Sequence, residues 1–227
     1  MAELNKSVLG KVSGTIGDLT FRQRNGKNII STRPSSFMPG IDLASIARRN
    51  RFKLAAKIAK EINSIEIFKE PWKSSTPSGL IPFNYIFKSN YPLINSDNIV
   101  NGLKIFPTLG FNASNQSTTF NATDVDITLN PLGSNTGIDS VNETSLSLIS
   151  VIYLTDPINA TSEEEHFIVV KSENIPLQLV DPITFTVTIP DNQLSFYDEY
   201  ISKKSFSTLI TTDALDKLVK SSNTITS

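Results

Sequence analysis

From about Ile99 onward the chain is a succession of short runs that are either β-branched or alternate apolar with polar, separated by turn residues at near-regular spacing. ITFTVTIP alternates cleanly, so a strand there turns Ile183, Phe185, Val187 and Ile189 to one face. SLSLISVIYL alternates and then becomes continuous, as a central strand covered on both sides does. The pattern predicts strands near Ile99–Phe106, Thr118–Ala122, Val125–Leu129, Ser145–Leu154, Phe167–Lys171, Ile183–Ile189 and Phe196–Ser202. Seven such strands suit an immunoglobulin-like antiparallel β-sandwich over residues 96–227, without the cysteine pair of a true immunoglobulin domain. The ending TDALDKLVKSS is expected to form a short capping helix with Leu215, Leu218 and Val219 turned inward.

Residues 1–40 are of another kind. Asn25-Gly26 lies between two runs of strand formers, the strongest short signal for a hairpin with a two-residue turn. Such a turn pairs Arg24 with Lys27, Arg22 with Ile29, Phe21 with Ile30 and Leu19 with Thr32. One face then carries Leu19, Phe21 and Ile30, and the other gathers Arg22, Arg24 and Lys27. Ahead of the hairpin, Gly10, Gly14 and Gly17 punctuate Val12 and Ile16, so that backbones can approach closely. Two strands with one apolar face are marginal in water, and this arm needs a surface to cover. That surface is either its own domain or another molecule.

Residues 41–95 read as helical. Asp42 is a suitable N-cap, and no Gly or Pro interrupts Leu43 to Phe68. Leu54, Ile58, Ile62 and Ile65 recur at helical spacing, while Arg48, Arg49, Arg51, Lys53, Lys57 and Lys60 crowd the rest of the surface. A basic face of this kind suits an acidic protein partner or phosphates, and Arg48, Arg49, Arg51, Lys53 and Lys57 are the candidate contacts. Phe52 is the one aromatic residue among them and no nucleic-acid motif accompanies them, so a protein contact is the favoured reading. Glu70–Gly79 is expected to be a linker from its Pro, Ser and Gly content, with Trp72 as its anchor. LIPFNYIFKSNYPLI then reads as a short helix stopped before Pro92.

Charge is divided unevenly. Residues 1–90 hold 15 Lys and Arg against 6 Asp and Glu, and residues 91–227 hold 6 against 16. A basic half of this kind is built to meet something acidic, either nucleic acid or the acidic half of a neighbouring subunit.

Catalytic constellations are missing from the sequence. With no cysteine, disulfides and thiolate chemistry are excluded. His166 is the sole histidine, set beside Glu163, Glu164 and Glu165, and reads as part of a charged surface loop. Without a second histidine the familiar nucleophile–base triads cannot be assembled. No cofactor or metal is expected, and the chain is not expected to be an enzyme. The start, MAELNKSVLGKVSG, lacks the apolar core of a signal peptide, and no apolar run reaches the length of a membrane span. The expectation is a chain made in the cytoplasm with no membrane partner.

The segments GKVSGTIGDLTFRQRNGKNIISTRPSS, ARRNRFKLAAKIAKEI and FNYIFKSN, in this order, resemble a family common in Bacteroidetes and their phages, to which no activity is assigned. Its members show a Gly-rich V-S-G-x-I-G segment, a hairpin ending in R-x-x-P, a helix with an R-x-x-F core and a C-terminal β-sandwich. The matching positions are Val12 to Gly17, Arg33-Pro34, Arg49 to Phe52 and the strands from Val125 to Ile201. The resemblance implies a virion component, and with the unpartnered arm the expectation is a structural subunit in a head, connector or tail position, a homo-oligomer joined by strand addition. On this reading the assembly interface comprises Val12, Ile16, Leu19, Phe21, Arg22, Arg24, Lys27 and Ile30. Two alternatives stay open: a nucleic-acid-binding protein of the virion interior, and a bacterial surface filament subunit.

Overall fold

A computed structural model describes residues 2–4, 13–24, 26–33, 36, 38–95, 100, 102–133 and 137–227. The chain divides into two compact units, Met1–Arg48 and Arg49–Ser227.

The first unit is a four-stranded antiparallel sheet. Its strands are β1 (Ala2–Leu4), β2 (Gly14–Ile16), β3 (Leu19–Arg24) and β4 (Lys27–Thr32), in the spatial order β1-β4-β3-β2. The β3–β4 register pairs Arg24 with Lys27, Arg22 with Ile29, Phe21 with Ile30 and Leu19 with Thr32, as the sequence predicts. Gly26 takes a φ of +77°, the conformation a tight hairpin turn demands. A second two-residue turn, Gly17-Asp18, joins β2 to β3 and sets Ile16 opposite Leu19. Gly17 has a φ of +56° and Asp18 a negative one, which is why glycine stands first in that turn.

Helix α1 (Leu43–Ser64) begins in the first unit and continues into the second. Asp42 caps it as expected, its Oδ1 accepting the Ser45 backbone N–H at 2.8 Å. The helix stops at Ser64, whose hydroxyl donates to the Glu61 carbonyl, and Ile65 is extended. Helix α2 (Glu66–Ser75) follows, then α3 (Pro82–Asn90) and a single 3₁₀ turn, Tyr91–Leu93. Most of the expected linker Glu70–Gly79 is therefore helical, with Pro71 inside α2. Tertiary packing overrides the proline here. Phe68 and Trp72 on α2 are fully buried, and the Trp72 indole N–H donates to the Ile105 carbonyl at 2.8 Å.

The rest of the second unit is mainly β, the expected class. Its strands are β5 (Asn115–Phe120), β6 (Asp124–Leu129), β7 (Ser145–Pro157), β8 (Glu165–Lys171), β9 (Ile175–Pro176), β10 (Ile183–Thr188), β11 (Tyr200–Thr212), β12 (Leu218–Ser221) and β13 (Ile225–Thr226). One sheet is ordered β10-β6-β5. The other is ordered β12-β11-β7-β8, with β13 on β11 and β9 on β7, and every pairing is antiparallel.

Two apolar cores show that the larger sheet is a middle layer. Val125, Ile127, Leu129, Phe185 and Val187 of the small sheet pack with Leu146, Leu148, Ile152, Leu154 and Leu209 of the large one. On the opposite face of the large sheet, Ile149, Val151, Tyr153, Phe206 and Ile210 pack with Leu54, Ile58, Ile62, Phe68, Trp72 and Ile86 of the helices. The continuous burial of β7 from Leu146 to Leu154 follows, since each face meets its own core.

Three further expectations fail in the second unit. Among its described residues, the segment expected as the strand Ile99–Phe106 holds only an isolated bridge, Val100 to Ile94, with Ile99 and Asn101 outside them. There the Asn90 side chain takes the place of a strand partner, accepting from Lys104 N at 2.7 Å and donating to its carbonyl. Phe196 lies not on a strand but in helix α4 (Asp191–Glu199), and the strand that follows runs on to Thr212. The expected C-terminal helix is instead a turn followed by β12. The Asp213 carboxylate accepts the backbone N–H groups of Leu215 and Lys217, which leaves Leu215 exposed, Val219 exposed and Leu218 packed on the core beneath the helices.

Candidate assembly interface

Cross-strand pairing sorts the first unit's side chains. Ile16, Leu19, Phe21 and Ile30 fall in register on one face, and Arg22 and Lys27 on the other. Ile16 is 69% exposed and Leu19 opposite it 41% exposed, while Phe21 and Ile30 are half-buried. Met38 and Ile41, between the sheet and α1, and Leu43, which opens α1, are almost fully exposed. Among the first-unit residues whose side chains are described, Asn28 is the only buried one. Of the expected interface residues, Val12 lies outside the described residues, and Arg24 is placed by its backbone pairing with Lys27. Strands β1 and β2 escaped the sequence reading. The spacing of Gly14 and Gly17 was the signal for β2, and nothing local marks β1, which exists by pairing with β4.

The five basic helix residues do not act together. Arg51 turns back onto its own fold: its Nε and Nη2 both donate to the Tyr91 carbonyl, at 3.2 and 2.9 Å, and its guanidinium stacks 4.3 Å over the Tyr91 ring. Lys57 donates to the Glu163 carboxylate and to the Glu165 carbonyl, pinning α1 to the start of β8. This ammonium holds the Glu163 carboxyl below its ordinary range. Arg48, Arg49 and Lys53 stay exposed, with Arg48 donating to the Ser45 hydroxyl at 2.8 Å.

His166 is placed differently from the expected surface loop. It stands on β8, half-buried, its ring stacked on Phe196 at 4.5 Å between centroids. Burial, with the nearby Lys57 ammonium, holds its pKa below the usual histidine value. The most enclosed ion pair among the described residues is elsewhere: Lys220 Nζ donates to Glu143 Oε1 at 2.8 Å and to the Gly137 carbonyl at 2.6 Å. Among the described residues no group of three or more His, Asp or Glu is arranged to hold a metal ion. No described helix is long and apolar enough to cross a membrane.

No protein-family model matches the sequence, and no curated protein matches it. Among solved structures, 55% of this chain is similar to 16% of DesR, a β-glucosidase from Streptomyces venezuelae in complex with D-glucose, at 19% identity and a TM-score of 0.27. Similarly, 53% of the chain is similar to 16% of a β-glucosidase from Kluyveromyces marxianus, at 10% identity and a TM-score of 0.19. Likenesses this slight carry nothing about fold or activity to this chain.

Proposed function

We propose that this chain is a structural subunit of a large self-assembling complex, a phage virion, and that it joins neighbouring copies through its N-terminal sheet. One observation carries the assembly reading: the sheet of the first unit presents Ile16 and Leu19 side by side to solvent and buries no described apolar side chain. A thin sheet with one apolar face is stabilised by covering that face, at roughly 25 cal/mol per Å² removed from water. A neighbouring copy supplies such a cover, and the basic face through Arg22 and Lys27 complements the acidic second half of the chain. The virion assignment rests on the family resemblance of the N-terminal motifs.

The test is particle size. Full-length protein should form rings or fibres under the electron microscope, and the double variant Ile16→Asp, Leu19→Asp should run as a folded monomer in size-exclusion chromatography. Oligomers undiminished in that variant would count against the reading. Nucleic-acid binding inside the virion is the second reading, favoured by the exposure of Arg48, Arg49 and Lys53. It requires DNA retention that falls steeply with salt.

A further inference from the structure

The small sheet of the second unit ends on β10, and its free edge is unusually well prepared for pairing. Ile189, in register just beyond the strand, donates its N–H to the Thr123 carbonyl at 2.9 Å. Backbone groups alternate in direction along a strand, so Ile183, Phe185 and Val187 point theirs at β6. Thr184, Thr186 and Thr188 therefore point theirs away from β6, and β6 is the only strand partner of β10 among the described residues. Three N–H groups and three carbonyls face outward along ITFTVT. The threonine side chains leave that edge clear, because the Thr184 hydroxyl bonds Thr128 at 2.9 Å and the Thr186 hydroxyl donates to Asp126 at 2.6 Å, both on β6. Beside the edge runs a groove of about 430 Å³, whose other wall is Lys171, Ser172, Glu173 and Ile175.

The edges at β5, β12 and β8 are blunted. A bulge interrupts β5 between Asn115 and Ser117, and another interrupts the β11–β12 pairing, where the Gly110 N–H also occupies the Ser221 carbonyl. Edge strand β8 begins and ends on charged residues and carries the Lys57 ammonium on the Glu165 carbonyl. β10 has neither charge, proline nor bulge, the devices by which edges are usually protected.

We infer that β10 is a second interface, at which two copies of the chain pair edge to edge about a two-fold axis through Thr186. Antiparallel pairing sets Thr186 against Thr186 of the second copy and Thr184 against its Thr188. All the outward groups then find partners, and the two three-stranded sheets become one of six strands. The groove wall is self-complementary too, offering one cation, Lys171, and one anion, Glu173, to the same pair in the second copy. This contact lies outside the N-terminal sheet and extends the assembly reading by a separate surface.

The absence of cysteine makes the register directly testable. In full-length protein, Thr186→Cys under mild oxidation should give a disulfide-linked dimer, since Cα atoms of such a pair lie about 5.5 Å apart, within disulfide reach. Thr184→Cys alone should not, whereas Thr184→Cys mixed with Thr188→Cys should. Thr186→Pro, which removes an edge N–H without touching the β6 ladder, should keep the circular dichroism of the parent and lose one step of oligomer size. Failure of Thr186→Cys to cross-link, or equal cross-linking of Thr184→Cys alone, overturns the inference. Cross-linking that persists in the Ile16→Asp, Leu19→Asp background supports it even if the N-terminal sheet proves not to assemble. Loss of assembly in that background, with no disulfide through Thr186, leaves the N-terminal reading standing and removes this one.

Discussion

The ammonium of Lys220 and the carboxylate of Glu143 meet at 2.8 Å, with the Glu143 side chain only 1% exposed. The pair ties the loop before β7 to β12, and Glu143 Oε1 also accepts the Asp139 backbone N–H. Burial pushes the Glu143 carboxyl up, but the Lys220 ammonium and the Asp139 N–H outweigh it and hold the group below its ordinary value.

Removing only the cation strands a buried carboxylate. Lys220→Met should cost about 3 kcal/mol in urea unfolding followed by circular dichroism, and adding Glu143→Gln should restore part of that loss. A double variant as unstable as the sum of its parts would show that the two groups are not coupled.

Trp72 makes two separable contributions: ring burial, and an N–H donated to the buried Ile105 segment. Trp72→Phe should cost about 1–3 kcal/mol by orphaning the carbonyl and thinning the contact, and Trp72→Ala about 3–5 kcal/mol. The midpoint of thermal or denaturant unfolding reads both.

Histidine protonation should weaken the fold. Because the folded-state pKa of His166 is depressed, the unfolded chain binds the proton more readily. This contribution is fully present above about pH 6.5 and is lost as pH falls from there towards the folded pKa. His166→Gln should flatten the stability profile across that window, measured as denaturant midpoint at pH 8, 6.5 and 5.5.

Arg51 is expected to matter for stability far more than the exposed Arg48 and Lys53. Arg51→Ala removes a charged double donor from the Tyr91 carbonyl and should cost about 1.5–3 kcal/mol. Neutralising Arg48 and Lys53 should leave the unfolding free energy within about 0.5 kcal/mol of the parent. If DNA is a partner, only the second change should weaken its retention on the protein at low salt.

How far the residues alone lead can be seen element by element. The Asn25-Gly26 hairpin was legible to the register because a two-residue turn leaves one pairing possible, and period-2 patterns exposed β6 and β10 because one of their faces is wet. Strand β11 hid because it lies mid-sheet under two cores: Ser205, Ser207, Thr208, Thr211 and Thr212 are all buried there, so polarity no longer reports exposure. Its hydroxyls are accommodated in part by one another, as in the Ser150–Ser207 contact at 2.6 Å.

Local chemistry therefore determined the turns, the cap at Asp42, the wet strands and the division of charge, since each depends on neighbours within a few residues. Only the folded chain decided that Pro71 sits inside a helix, that Arg51 and Lys57 are spent internally, and that β10 keeps an open edge. Those outcomes depend on groups 33 to 108 residues apart in sequence, such as Trp72 with Ile105 and Lys57 with Glu165. No short stretch of sequence carries the energy of contacts that only tertiary packing brings together.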